Sequence, residues 1–473
     1  MTYAFSFDAS ACSGCKACQA ACKDKNNLPL GVLWRRIYEV GGGEWTHSGV
    51  AWTSTVYAYN LSIACNHCVH PKCAGVCPVD AYTVREDGIV ILDSSKCIGC
   101  GYCAWACPYG APQYDRTTGT MTKCNFCFDN LDSGLLPACV VACPMRVLDL
   151  GEQSEMEAQG LQFQVVFPMP ITSRTEPRVY IKPHPAAERV VQAPQVLNRE
   201  EYAPQRKRSP AWSALEEIPL LIFTLLGQTA AGISWILGIF VFTGLVFSPS
   251  LYLAIGAVLS LGLIVSFLHL GSPKNAWRVF SNLHKSWLSR EILAAMLFMA
   301  SWVINAVTYW LPLSFAIAKP LLAGATGLAG GYFVFSMSEV YRLRMAPAWN
   351  TWRTKGSFFL SAVILGVLSV GVGLVFTRTP IKVIDPKLQW VAVVGLFALA
   401  MELLLTYSEK GVVFPILCRG RRILTAAGFI GLTLMVILPD QTRTWIVFVV
   451  FLVVFLEEII GRWVFYSSRN PIM

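Results

Sequence analysis

Cys97-Ile98-Gly99-Cys100-Gly101-Tyr102-Cys103-Ala104-Trp105-Ala106-Cys107-Pro108 decides the fold of the first half of this chain. Its cysteines are spaced C-x2-C-x2-C-x3-C, and a proline follows the last. The same spacing occurs in Cys12, Cys15, Cys18 and Cys22. Looser versions occur in Cys65, Cys68, Cys73 and Cys77, before Pro78, and in Cys124, Cys127, Cys139 and Cys143, before Pro144. Sixteen of the 17 cysteines therefore lie between Cys12 and Cys143. Cys418 stands alone and is given no role.

This is the spacing of iron–sulfur ligation. Three closely spaced thiolates hold three irons of one cubane, and the fourth cysteine reaches the neighbouring cluster. Zinc sites use C-x2-C pairs with longer spacers, which does not explain triplets at intervals of three. Disulfides call for an oxidising compartment and usually a short secreted chain. The expected ligand sets are Cys77 with Cys97, Cys100 and Cys103; Cys107 with Cys65, Cys68 and Cys73; Cys143 with Cys12, Cys15 and Cys18; and Cys22 with Cys124, Cys127 and Cys139. That makes four [4Fe–4S] clusters in two tandem two-cluster ferredoxin units. The expected fold of residues 1–150 is an α+β ferredoxin-like iron–sulfur domain. Its short strands include residues 88–92, after the Asp87-Gly88 turn, and 56–63.

The rest of the chain differs in kind. Overall, 54% of the 473 residues are hydrophobic and 14% are charged, against about 25% charged in average soluble domains. Neither a simple soluble enzyme nor a disordered chain is expected. Residues 1–210 hold 19 Lys+Arg and 19 Asp+Glu, so the second half supplies the whole net charge of +9. Residues 151–217 lose the cysteines and gain prolines. They read either as an extended tail, draped over a partner or over the cysteine module, or as a plain linker. Residues 218–473 read as an all-α eight-helix transmembrane domain, since a span takes ~20 mostly apolar residues. The eight runs are 219–247, 251–270, 291–311, 317–340, 357–376, 388–408, 423–438 and 444–465.

The basic excess lies in short loops between apolar runs, where Lys and Arg set membrane orientation, so it does not point to nucleic acid. With eight spans, 17 cations fall on the side of the cysteine module and 5 on the other. The positive-inside rule then puts the module in the cytoplasm; a folded domain exported by a dedicated route would instead face the periplasm. Haem is not expected. Two bis-histidine haems need four intramembrane histidines, and the membrane half has only His269 and His284. The membrane carrier is then a quinone or quinol. Ionisable groups at membrane depth are costly and tend to be functional. His269 ends the second run and Glu291 opens the third, on the side of the cysteine module. They are the candidate quinone-site residues; the alternative is an interfacial histidine beside a helix-end glutamate. Glu402 and Glu457-Glu458 are weaker candidates, able to snorkel or to pair with nearby arginines.

The cysteine module resembles the iron–sulfur subunit of the dimethyl sulfoxide reductase family. The resemblance runs through Cys12-Ser13-Gly14-Cys15-Lys16, Arg35-Arg36-Ile37-Tyr38-Glu39, Cys65-Asn66-His67-Cys68, residues 107–114 and Val179-Tyr180-Ile181-Lys182-Pro183. The membrane half resembles the anchor subunit of the same family, through Pro219-Leu220-Leu221-Ile222-Phe223-Thr224, Leu268-His269-Leu270-Gly271-Ser272-Pro273 and Gly461-Arg462-Trp463-Val464-Phe465-Tyr466. The resemblance implies a fused, non-catalytic electron-transfer and anchor subunit in a prokaryotic inner membrane. It implies a separate large catalytic subunit carrying a molybdenum bis-pterin cofactor. It also ties His269 to quinol binding and makes Glu291 an acidic residue of that site. Electrons would run either from quinol to the partner or, as in cytoplasm-facing sulfite dehydrogenases, toward quinone. Readings of other classes are a self-sufficient ferredoxin:quinone oxidoreductase and an assembly or scaffold protein with structural clusters.

Overall fold

A computed structural model describes residues 1–161, 164–170, 175–189, 195–196, 217–242, 249–310, 318–344, 346–376, 381–406, 415–438 and 440–468. The chain divides into two units. One comprises Met1–Arg208, Leu270–Ser286 and Asn470–Met473; the other comprises Ser209–His269 and Trp287–Arg469. The cations Arg206, Lys207, Arg208, Arg378, Lys410 and Arg469, used in the orientation count, lie outside the described residues.

The cysteine unit is built from short pieces. Strand Tyr3–Asp8 pairs antiparallel with Leu148–Glu152 and parallel with Val179–Lys182. Its alternating apolar residues bury Phe5 and Phe7 against Ile37, Leu61, Phe126 and Leu148. A second sheet pairs Arg36–Gly42 antiparallel with Tyr57–Ile63. Hairpins Tyr82–Val84/Val90–Leu92 and Gln113–Asp115/Thr120–Thr122 lie between cysteine groups. Much of the proline-containing segment folds into this unit. Helix Gln153–Ala158 follows strand Leu148–Glu152, Val166 and Met169 join the core, and Val179–Lys182 completes the first sheet. Residues 162–163, 171–174, 190–194 and 197–216 of that segment lie outside the described residues.

One helical turn recurs at each cysteine group, and it explains the spacing. The third cysteine sits within a short helix: Cys18 in Ala17–Lys25, Cys73 in Lys72–Val76, Cys103 in Tyr102–Ala106 and Cys139 in Ala138–Val141. The fourth cysteine comes four residues later, which in a helix is one turn and about 6 Å of rise. It therefore serves a different set of thiols from its three predecessors.

Among the described residues, the helical unit has eight long helices: Ile218–Phe242, Pro249–Phe267, Trp287–Trp310, Ala318–Tyr341, Trp352–Phe376, Ile381–Thr406, Pro415–Ile437 and Asp440–Ser467. Among the described residues, seven are long and apolar enough to cross a membrane; the second is shorter, apolar over Tyr252–Phe267. The first helix packs against the second, fourth and fifth. It meets the fifth at Gly232 and Gly366, where a Cβ on Gly232 would overlap the Ala362 carbonyl oxygen. Small residues that let backbones approach are the usual glue between membrane helices, which lack a hydrophobic drive to associate in lipid.

Two helix starts differ from expectation. The third helix begins at Trp287, so Glu291 lies beyond its first turn rather than opening it. The seventh begins at Pro415, not near residue 423, and takes Arg421 into the bundle. The reason is pairing: Arg421 Nη2 is 2.9 Å from Glu402 Oε1, and Arg421 Nε is 2.6 Å from Glu457 Oε1. Arg462 and Arg443 are likewise buried rather than loop cations. Setting the three aside leaves 15 cations against 4 (17 less Arg421 and Arg462; 5 less Arg443).

Candidate functional site

The sixteen cysteines come together as four quartets. Cys12 interacts with Cys15, Cys18 and Cys143. Cys22 lies with Cys127 and Cys139, and Cys124 with Cys22 and Cys139. Cys73 lies with Cys65, Cys68 and Cys107. Cys100 lies with Cys77 and Cys97, and Cys103 with Cys100 and Cys77. Electrostatic interactions also link neighbouring quartets in a definite order. Cys18 is within reach of Cys139, Cys124 of Cys65, and Cys103 of Cys73. The quartets therefore form a line, from Cys12/Cys15/Cys18/Cys143 at one end to Cys77/Cys97/Cys100/Cys103 at the other. Cys15, at the first end, is solvent-exposed.

The donor sets fit a polynuclear iron group better than zinc. Tetrahedral zinc with Zn–S of about 2.3 Å needs sulfurs roughly 3.8 Å apart. Among the described residues, the one group of three such donor atoms lying within 4.8 Å of one another is Glu402, Glu457 and Glu458, so no cysteine quartet is that tight. Open space remains between the sulfurs: one cavity is lined by Cys65, Cys68, Cys73 and Cys107, another by Cys12, Cys15, Cys18 and Cys143. Burial, reinforced by neighbouring thiols, pushes Cys22 up to about 12, and burial pushes Cys100 to about 12 and Cys107 to about 11. A bound cation would favour the thiolate form and offset that cost of burial. Backbone N–H groups already point at the sulfurs: Gly99 N to Cys97 Sγ at 3.3 Å, Ala81 N to Cys77 Sγ at 3.4 Å and Phe126 N to Cys124 Sγ at 3.4 Å. Gly14, Gly99 and Phe126, each between the first two cysteines of its group, adopt left-handed backbone. His67, between two ligands, is fully buried, and burial followed by the charges of Lys123, Arg178 and Arg35 keeps it neutral.

The segment Leu270–Ser286, which follows His269 in the chain, belongs to the cysteine unit. It is a 3-10 helix, Pro273–Asn282, flanked by short turns. It docks on the last quartet's ligand loops through backbone carbonyls. Ser272 N donates to Ile98 O at 3.0 Å, Asn275 Nδ2 to Cys97 O at 3.0 Å, Asn282 Nδ2 to Cys77 O at 2.7 Å and Ser286 Oγ to Val76 O at 2.8 Å. Gly271 lies so close to Gly119 that a Cβ on it would overlap the Gly119 carbonyl oxygen. Gly271→Val should therefore undock this segment. The expected result is full iron content but cluster reduction by quinol slowed at least tenfold, read by stopped-flow absorbance. Unchanged reduction kinetics would show that the docking does not matter.

In the helical unit, His269 Nε2 is 3.9 Å from Glu217 Oε2. Glu291 is 4% exposed, and its Oε1 has no hydrogen-bond partner among the described residues. Tyr341 is in electrostatic range of Glu291, Glu217 and Tyr466, and Tyr466 Oη donates to Tyr341 Oη at 2.8 Å. His269 pairs with Glu217, and both Glu217 and Glu291 lie in electrostatic range of Tyr341. Sequence reasoning had not singled out Glu217 or Tyr341, and Tyr466 entered it only as part of the 461–466 motif. Glu217 had a signal, since it stands just ahead of the first apolar run, where an acidic residue is as notable as Glu291 at the third. Tyr341 had none beyond its type. Glu402 and Glu457 pair with Arg421. Glu458 accepts from Ser361 Oγ at 2.9 Å, and Arg462 Nη2 donates to Ser361 Oγ at 3.1 Å and to Gln228 Oε1 at 3.0 Å.

Comparison with known proteins agrees with both halves. Residues 56–153 match the 4Fe-4S dicluster domain, and residues 212–467 match the DMSO reductase anchor subunit. The chain is 48% identical over 182 residues to the B component of the anaerobic dimethyl sulfoxide reductase of Escherichia coli (strain K12), covering 38% of this chain and 89% of that one. It is 36% identical over 174 residues to the formate dehydrogenase iron-sulfur subunit of Wolinella succinogenes, covering 32% and 82%. It is 41% identical over 143 residues to the B component of the tetrathionate reductase of Salmonella typhimurium, covering 30% and 54%. More than half of the chain lies in the anchor match, and the half ahead of it is like the Escherichia coli B component. This chain therefore belongs to the DMSO reductase anchor-subunit family, and it is a fused electron-transfer and membrane-anchor subunit of a molybdoenzyme.

Proposed function

We propose that this subunit carries electrons between a membrane quinone pool and a separate molybdenum catalytic subunit through four [4Fe–4S] clusters. The quartets Cys12/Cys15/Cys18/Cys143, Cys22/Cys124/Cys127/Cys139, Cys65/Cys68/Cys73/Cys107 and Cys77/Cys97/Cys100/Cys103 would hold them; when bound, the clusters supply one-electron carriers. The observation that carries this reading is the line of quartets together with what lies at its end. The last quartet is the one gripped by Leu270–Ser286, the segment directly after His269. The other end, with the exposed Cys15, is suited to the catalytic partner.

A quinol that gives up two electrons also gives up two protons. His269, paired with Glu217, would be the base for one of them, and the buried Glu291 carboxylate would take the other. The cation excess of 15 to 4 supports a cytoplasmic iron–sulfur unit. Protons and electrons would then be exchanged on the same face of an inner membrane.

Complex purified anaerobically through a tag on this chain should contain about sixteen irons per chain and about one molybdenum, with a large co-purifying subunit. Within it, His269→Ala and Glu217→Gln should each slow quinol-dependent cluster reduction by about 10²-fold, the scale of a lost general base. The clusters should still be reduced by dithionite. Wild-type quinol kinetics in both variants would refute the assigned quinone site. Absence of molybdenum would favour a ferredoxin:quinone enzyme.

A further inference from the structure

Arg35 is 2% exposed, within the cysteine unit. Its backbone N–H points at the Cys22 sulfur, and its guanidinium is in electrostatic contact with Cys139, Cys18, Cys124 and Cys22. Those four sulfurs belong to two quartets: Cys18 to the first in the line, the other three to the second. The side chain is held in place by Ser62, whose Oγ accepts from Nη1 at 3.1 Å, and by the Phe5 ring, 4.6 Å beneath its Cζ. Ser62 Oγ in turn lies 3.7 Å from Cys18 Sγ. Arg35 Nε and Nη2 have no hydrogen-bond partner among the described residues. Nor does any described carboxylate pair with it.

A buried guanidinium with no carboxylate is a costly arrangement unless a counter-charge is close. The anions within its reach are the cysteine sulfurs. Each [4Fe–4S] group with four thiolate ligands is anionic, and reduction adds one more negative charge. A fixed cation between two such groups favours the reduced form of both, because it interacts more strongly with the larger charge. Hydrogen bonds to cluster sulfurs act in the same direction, and Arg35 has two N–H-bearing nitrogens free to make them.

We propose that Arg35 is a positioning residue that raises the reduction potentials of the two clusters held by Cys12/Cys15/Cys18/Cys143 and Cys22/Cys124/Cys127/Cys139, making this pair the electron-accepting half of the line. The proposal rests on the four-cluster reading and goes beyond it: it assigns a direction of potential to one end. A unit charge about 10 Å away, at an effective dielectric of ~20, changes an equilibrium roughly tenfold. For a one-electron couple, tenfold is 59 mV.

The test is a redox titration of the whole complex followed by electron paramagnetic resonance, with iron analysis alongside. About sixteen irons per chain in the wild type secures the four-cluster reading independently; a lower count would overturn that reading before any variant is considered. Arg35→Gln should lower two of the four reduction steps by tenfold or more and leave the other two in place. Arg35→Lys, which keeps the charge, should restore most of the shift. If Arg35→Gln fails to hold the affected pair, selective loss of two clusters, rescued by Arg35→Lys, again assigns the cation to that pair. Four unchanged potentials in Arg35→Gln, equal shifts in all four, or loss of all four without rescue by lysine would overturn the proposal.

Discussion

Cys77→Ser should remove the cluster whose other ligands are Cys97, Cys100 and Cys103, or convert it to a three-iron form. The cluster of Cys65, Cys68 and Cys73, the nearest cysteines in sequence, should stay intact. Cys107→Ser should do the reverse. The reason is geometric. Cys77 caps the C-terminal end of helix Lys72–Val76, one turn beyond Cys73, and its thiol lies among those of Cys97, Cys100 and Cys103. Iron should fall from about sixteen per chain to about fifteen or twelve, depending on whether a three-iron form survives. Because this quartet carries the Asn282 and Asn275 contacts, quinone-linked turnover should drop to background. Turnover of the catalytic partner with an artificial donor should persist. If Cys77→Ser instead removed the Cys65/Cys68/Cys73 signal, the cross-pairing of groups would be wrong.

Arg421→Met should be the most destabilising single change in the helical unit. Arg421 is the ion-pair partner of both Glu402 and Glu457, each about 2% exposed, and Glu458 lies against them with Arg462 beyond. Breaking a buried pair by removing one partner leaves uncompensated charge and costs about 3–5 kcal/mol. At roughly 2–4 °C per kcal/mol for a unit of this size, the detergent-solubilised complex should melt about 6–20 °C lower. Arg421→Met combined with Glu402→Gln and Glu457→Gln should recover most of the loss, since replacing the whole buried set by neutral groups is close to balanced. A melting temperature unchanged in the single variant would mean that the triad is hydrated rather than sealed in the bundle.

Much of this protein can be read residue by residue along the chain. The iron–sulfur character is carried by intervals of three and four between cysteines, and those intervals are local helix geometry. The apolar runs are local too, since bilayer thickness sets their length. His269 and Glu291 stand out because an ionisable group beside an apolar run needs a reason to be there. What could not be read joins distant parts of the chain. Asn282 bonds Cys77 across 205 residues, Arg462 bonds Gln228 across 234, and Tyr466 bonds Tyr341 across 125. No periodicity or spacing encodes such pairs. Arg35 is the sharpest case: in the sequence it is one residue of the Arg35-Arg36-Ile37-Tyr38-Glu39 motif, and only the fold shows it as a buried charge in reach of two cysteine quartets.

The sequence by itself thus determined the ligand types, the two-part architecture and the membrane-embedded half, because each follows from spacing, length or composition within one segment. The tertiary structure alone decided the linear order of the quartets, the docking of Leu270–Ser286 on the last of them, and the grouping of His269 with Glu217. Those depend on which surfaces meet once the chain has folded, and burial there changes what a charge or a thiol can do.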